Sequence, residues 1–304
     1  MIPDTGYRIQ AKKSLGQHFL KNENVVEKMV EAAQITKEDT IFEIGPGLGI
    51  LTKKLLDSPA KKIIACEKDD QLFEYLKDLF SKGSNPCAQG LDPRKEKLPN
   101  KLKLIHDDAL VLIPNLILRS NQSEESTLSE VEGSTHFKVV ANLPYNIASP
   151  AIISLLTVCP TIPEKMVVMV QKEVAERLVT KPGNSNRGWM TVLLELMGEA
   201  SILMKLSRGQ FSPPPEVESA VIVIDKIEKP EVEPKKIIRI LKMAFAGKRK
   251  KIKNSLFSTL QIPSRAMGEL AQKAGISLDQ RPEELNVNQW RELINVLVHQ
   301  VESL

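Results

Sequence analysis

Apolar residues recur along the chain at two different spacings. Val25, Val26, Met29, Val30 and Ala33 fall three and four apart, which places them on one face of a helix over 24–35, with Asn22 or Asn24 able to cap its start. Ile41-Phe42-Glu43-Ile44 is instead a short, mostly apolar run closed by glycines, the pattern of a buried strand, and Leu48–Leu56 returns to helical spacing. The alternation continues with strands predicted at Lys62–Glu67, Leu102–His106, Phe137–Ala141 and Lys165–Gln171. Helices are predicted at Asp69–Phe80, Ala148–Leu156 and Lys172–Val179. Strand–helix alternation of this kind predicts an α/β fold built on a largely parallel sheet with helices on both faces.

Two polar stretches, 81–101 and 119–136, interrupt the alternation and exceed the ~12–15 residues usual for a connection, so both are expected to be surface insertions. After residue 224 the pattern changes. Residues 229–234 form a charged linker, and from Lys235 onward only helical periodicity remains, broken at Pro263, Gly275 and Pro282. The expected organisation is a domain over 1–228, including an N-terminal segment 1–22, and a smaller all-helical domain over 235–304.

Charge adds one feature. The net charge is only +4, but nine Lys or Arg residues and no Asp or Glu lie between Lys235 and Asn254. A charge run is usually a solvated helix face. Here Phe245 and Ile252 interrupt it, so the segment must also pack, and its charges should share an exposed side that suits a polyanion. Three cysteines without metal-type spacing, and four scattered histidines, give no metal site and no disulfide framework. Residues 1–11 have neither a long apolar run nor an Arg-rich amphipathic pattern, and no stretch has the ~18 apolar residues of a membrane span. A cytoplasmic protein without membrane association is expected.

The chemistry begins at Glu43-Ile-Gly-Pro-Gly-Leu-Gly49, which follows a strand and opens a helix. Glycines at such a turn let a ligand approach the backbone closely. Glu67 ends the next strand, where a carboxylate can accept hydrogen bonds from both ribose hydroxyls of a nucleoside. A dinucleotide would require G-x-G-x-x-G/A, and that last position is Ile50; S-adenosylmethionine, which carries no phosphate, needs only the close approach. A tight turn that holds nothing is the bland alternative. Asp107-Asp108 closes the 102–106 strand, where a carboxylate could meet an adenine amino group or simply cap a helix.

Asn142-Leu-Pro-Tyr-Asn-Ile147 follows the apolar run 139–141 and so sits at the carboxyl end of a buried strand. The exocyclic nitrogen of adenine is a poor nucleophile because its lone pair is delocalised into the ring. Acceptors on both N–H protons draw it toward tetrahedral geometry and stabilise the developing positive charge. The Asn142 side-chain carbonyl and the Leu143 backbone carbonyl can supply them, Pro144 stiffens the loop, and Tyr145 offers a ring on which a flipped-out base can stack. An ordinary turn at Asn-x-Pro is the competing reading.

These residues resemble the KsgA-type rRNA adenine dimethyltransferases over nearly the whole chain. The shared motifs are Lys13–Leu20, Glu43–Gly49, Glu67, Asp108, Asn142–Ile147, Gln171–Val174, Phe211–Val221, Ala244-Phe245, Lys248–Lys251 and Lys253–Leu256, in one order. The resemblance implies a Rossmann-like S-adenosylmethionine-dependent methyltransferase domain with cofactor contacts on His18, Leu20, Gly45, Glu67, Asp108 and Asn142. It also implies a lid at Gly16–Leu20, the target adenine at Asn142–Tyr145, and Phe211 packed on that base unless it is simply core. The substrate implied is small-subunit (16S) rRNA in the pre-30S particle, dimethylated at N6 of two adjacent adenines in a hairpin near its 3′ end by a monomeric enzyme, with Lys248, Arg249, Lys250, Lys251 and Lys253 on the RNA. Erm-type enzymes of large-subunit RNA tend to carry N-I-P where Asn142-Leu143-Pro144 stands, and Asn146 and Pro213–Pro215 also favour the ribosome-biogenesis branch. A non-catalytic ribosome-assembly factor and a nicotinamide-dependent oxidoreductase are the remaining rivals. Retention of Asn142, Tyr145 and Glu67 argues against the first, and glycine spacing against the second.

Overall fold

Continuous apolar runs become interior strands. In the computed structural model, which describes residues 9–81, 99–116, 137–247 and 249–298, β2 (Thr40–Ile44) is buried along its whole length and β5 (Phe137–Asn142) along all but its last residue. A strand covered on both faces reads as an unbroken hydrophobic run rather than an alternation. With β3 (Lys62–Glu67), β4 (Leu102–His106), β6 (Lys165–Gln171), β7 (Glu199–Leu206) and β9 (Ser219–Asp225) they form a seven-stranded sheet of order β4-β3-β2-β5-β6-β9-β7. The pairs β4/β3, β3/β2, β2/β5 and β5/β6 are all parallel. A separate two-stranded antiparallel pair joins β1 (Phe19–Leu20) to β8 (Phe211–Ser212).

The connecting helices follow their sequence signals. In α1 (Glu23–Ala33), Asn22 caps the start by accepting the Asn24 N–H at 2.9 Å, and Val25, Val26, Met29 and Ala33 are the buried stripe, packed on β5 and β6. Helix α2 (Ile50–Asp57) starts two residues later than its apolar pattern predicts, because Gly49 at φ +78° holds a left-handed conformation that a helix cannot include. Helices α3 (Asp70–Ser81), α4 (Ala109–Leu112) and α5 (Ala148–Thr157) complete the alternation up to β6. The pattern read along the chain assigns no element between 180 and 224, where the structure places α7 (Trp189–Met197), β7 and β9. The insertion sequences 82–98 and 117–136, residues 1–8 and Lys248 lie outside the described residues.

Contacts divide the chain into two units, 1–172 with 202–223 and 173–201 with 224–304. The second contains α6 (Lys172–Leu178) from residue 173 onward, α7, α8 (Pro234–Ala244), a π turn Lys253–Phe257, α9 (Ser264–Lys273) and α10 (Val287–Leu297). The division differs from one drawn at residue 228. Helix α7, with buried Val192, Leu193, Leu194 and Met197, packs on α8 and α10, so residues 173–201 group with the C-terminal helices. The fully buried Arg187 side chain fastens this grouping, donating to the carbonyls of Leu285 (2.6 Å) and Glu283 and pairing with Glu195.

Candidate active site

The strand order creates the crevice. From β2 the chain moves outward through β3 to β4, then returns to the other side of β2 at β5 and continues to β6. Loops leaving β2 and β5 therefore diverge, and in open parallel sheets ligands bind at the carboxyl ends of the strands at this reversal. The two loops singled out by sequence are the ones that meet there. Gly45, at φ +68°, lies so close to Pro144 that a Cβ on it would stand 3.3 Å from the proline ring. Gly47, at φ +59°, is similarly closed off by Phe19 at 3.2 Å. One cavity here is lined by His18, Leu20, Gly45, Glu67, Asp108, Asn142, Leu143, Pro144 and Tyr145.

Four acidic residues line this cavity, Glu43, Glu67, Asp107 and Asp108, and Glu67, Asp108 and Glu43 are in different states. Glu67 is 6 % exposed, and its oxygens accept the backbone N–H groups of Lys68 and Asp69 (2.9 Å each) and of Gly47 (3.2 Å). It therefore fixes the glycine loop from the neighbouring strand. Burial raises its carboxyl above the usual range, opposed by those three donors. Asp108 accepts the Leu110 N–H as the cap of α4 and pairs with Lys68 at 2.7 Å, which holds its carboxyl low. Glu43 is the residue that sequence reasoning passed over within its motif. It is 1 % exposed, and neither its oxygens nor the Thr52 hydroxyl beside it makes a hydrogen bond of normal geometry. Burial pushes this carboxyl up to about 8. A lone charge inside the apolar run 41–44 is the signal that could have found it. A buried acid whose oxygens make no hydrogen bond of normal geometry, on the wall of a cavity, would be drawn back toward its ionised form by a ligand carrying positive charge.

The N-terminal segment closes one side. Gln17 and Lys12 reach Asp69 at 3.2 and 2.7 Å, and Gly16 lies against Asn146. The Asn142 Nδ2 donates to the His18 carbonyl at 3.4 Å. Because that carbonyl can only accept, the amide's own oxygen is the end left to act as an acceptor for a ligand. His18 Nδ1 donates in turn to the Pro213 carbonyl at 2.9 Å, and the imidazole stacks on Tyr145 with ring centroids 5.4 Å apart. The Tyr145 hydroxyl meets the Ser219 hydroxyl at 2.5 Å, and burial raises its pKa. Neither Ser219 nor the Pro213 carbonyl was singled out individually by sequence.

Phe211 is placed differently from a base-packing residue. It is 1 % exposed, pairs with Leu20 across the β1–β8 ladder, and belongs to the core cluster with Phe19 and Leu20 rather than to the cavity wall. In the second unit the basic run has a mixed role. Ile252 is fully buried and Phe245 stacks on Trp290 at 5.8 Å, while Lys235, Arg239 and Lys242 share one exposed face of α8. Arg249 and Lys250 are exposed, whereas Lys251 and Lys253 converge on Asp279 at 2.9 and 2.8 Å and hold its carboxyl down to about 2. Among the described residues no metal-type cluster of His, Cys, Asp or Glu is found, and no helix is long and apolar enough to cross a membrane.

Comparison with known proteins agrees with the motifs. A family model described as ribosomal RNA adenine dimethylase matches residues 8–299. A protein of Dehalococcoides mccartyi named ribosomal RNA small subunit methyltransferase A is 37% identical over 291 residues, covering 95% of this chain and 89% of its own. A protein of the same name from Prochlorococcus marinus is 34% identical over 299 residues, covering 96% and 92%. Among solved structures, a dimethyladenosine transferase from Plasmodium falciparum superposes with TM-score 0.69 at 23% identity, covering 93% of this chain and 98% of that one. The 23S rRNA methyltransferase ErmE follows at TM-score 0.61 and 22% identity, covering 92% and 99%; at these identities the likeness is one of fold. With the match spanning almost every residue, the chain belongs to the ribosomal RNA adenine dimethylase family.

Proposed function

We propose that this chain transfers methyl groups from S-adenosylmethionine to N6 of two adjacent adenines in a hairpin near the 3′ end of small-subunit rRNA, acting as a monomer on the pre-30S particle. The observation that carries this reading is the meeting of the Gly45–Gly49 loop and the Asn142–Tyr145 loop in one cavity at the sheet's reversal. The buried Glu43 carboxyl on that wall would be drawn toward its ionised form by a cationic cofactor. When bound, that cofactor supplies a methyl group on a positively charged sulfur. Glu67 would hold the ribose hydroxyls and Asp108 the adenine edge, with His18, Leu20 and Gly45 enclosing the rest. Asn142 Oδ1 and the Leu143 carbonyl would accept the two N–H protons of the target, so that its lone pair is directed rather than delocalised. Pro144 limits the loop's freedom and Tyr145 supplies the stacking ring. No base is needed ahead of transfer. The first methylation leaves one N–H and a usable lone pair, so the expected product is N6,N6-dimethyladenine. Chromatography of digested RNA after reaction with excess cofactor checks this, and a product that stays monomethylated would refute it.

The C-terminal unit is the RNA-gripping part of this reading, through Lys248, Arg249, Lys250, Lys251 and Lys253 and the basic face of α8. A phosphate grip of this kind is independent of sequence, with each contact adding ~0.7–0.9 to the log–log salt slope. Reversing Arg249 and Lys250 to Glu is expected to raise the KM for RNA and flatten that slope by roughly 1.4–1.8, leaving cofactor affinity unchanged. An unaltered slope would return the segment to an ordinary charged surface.

A further inference from the structure

The segment Phe211–Val221 stands out in the sequence, yet Phe211 itself is core. What the segment does at the cavity is grip two rings. The Pro213 carbonyl accepts from His18 Nδ1, and the Ser219 hydroxyl bonds the Tyr145 hydroxyl. The two rings are stacked with an interplanar angle of 29°. Ser219 is fully buried at the start of β9, so its hydroxyl is a fixed anchor rather than a mobile surface group. Tyr145 is half-buried on a loop, and its hydroxyl is the far end of a lever about the first side-chain torsion, lying on the axis of the second. One bond at that point fixes where the long axis of the ring points, while stacking against His18 holds its rotation about that axis. Stacking depends on ring orientation, so a small change in tilt moves any base lying on the ring.

We propose that Ser219 is a positioning residue for methyl transfer: through the Tyr145 hydroxyl it sets the orientation of the ring on which the target adenine stacks, while the Pro213 carbonyl sets the His18 ring beside it. This rests on the reading of Tyr145 as the base platform. Ser219 touches no reacting atom. Its effect should therefore appear in the methylation rate, leave cofactor affinity untouched, and vanish once the Tyr145 hydroxyl is gone.

The test is a double-mutant cycle on the full chain, measuring single-turnover methylation of small-subunit rRNA and binding of labelled S-adenosylmethionine. Ser219→Ala and Tyr145→Phe each remove the same bond from opposite ends, and each is expected to lower the methylation rate by about three- to tenfold, the range of one net hydrogen bond. Cofactor affinity should not move. The double variant is expected to be no slower than either single one. Multiplicative losses, or two single variants with the parent rate, would overturn the proposal. If Ser219→Ala fails to fold, Tyr145→Phe still decides, because it removes the bond without altering the buried strand. Tyr145→Ala separates the two layers. Full activity in that variant sinks the base-platform reading itself, whereas loss there with parent rates in Tyr145→Phe and Ser219→Ala sinks only the positioning role.

Discussion

Replacing Asn142 by alanine is expected to lower turnover by roughly 10²–10³-fold while leaving the fold intact, the range seen when one charge-stabilising partner is removed from an active site. The structure strengthens the reason. Asn142 ends β5 with its amide nitrogen committed to the His18 carbonyl, so its oxygen is already aimed before any substrate arrives. An acceptor that needs no reorientation contributes fully at the moment when positive charge develops on the nucleophile. Asn142 is half-buried and outside the main hydrophobic cluster, so the fold should tolerate the change. Single-turnover methylation paired with thermal unfolding is the measurement. Near-parent turnover in a folded variant would show that the nitrogen is activated by other groups.

Glu67→Ala is expected to weaken S-adenosylmethionine binding by about 10- to 100-fold, since hydrogen bonds to charged groups contribute roughly 1.5–3 kcal/mol. Turnover at saturating cofactor should fall much less, because ribose contacts are the same in the ground and transition states. Glu67 also orders the glycine loop by accepting the Gly47 N–H, so the alanine variant loses part of the loop's support as well. Glu67→Gln, which keeps one acceptor, should lie between the two. Equilibrium binding alongside kcat at saturation checks this; a large drop in kcat with unchanged affinity would remove the ribose assignment.

The parallel half of the fold could be read directly because each buried strand is a local run. Lys62–Glu67, Leu102–His106 and Lys165–Gln171 have the bounds that the pattern predicts. Strand β7 alternates exposed and half-buried residues at the end of the sheet order, so its apolar signal is diluted. Strand β9 is apolar but lies directly after a proline-rich motif that draws attention to itself. The loops at Gly45 and Asn142 were legible because their residue types are tied to the chemistry proposed for them. The holding contacts were not. Ser219, the Pro213 carbonyl and Asp69 act on residues 52–195 positions away, a relation that no local spacing encodes. The grouping of α6 and α7 with the C-terminal helices was hidden for the same reason. Phe211 shows the converse case: an aromatic in a functional motif is equally suited to filling a core, and burial alone decides between the two.

The pairing of residues 18–22 with residues 210–213 has a consequence for the order in which the site is assembled. Lys21 donates to the Gln210 carbonyl, Asn22 to its side chain, β1 pairs with β8, and His18 reaches Pro213. Strands β2 to β5 have all their sheet neighbours within residues 40–171, so the glycine loop and the strand that ends at Asn142 can form while the rest is still being synthesised. The wall facing them cannot, because its anchors lie about two-thirds of the way along the chain. Closing a loop of that length is slow, and it waits on emergence of the distal residues. In a nascent chain the segment before β1 can already reach Asp69, but the His18 ring gains its anchor beside Tyr145 only after residue 213 has emerged from the ribosome that made it.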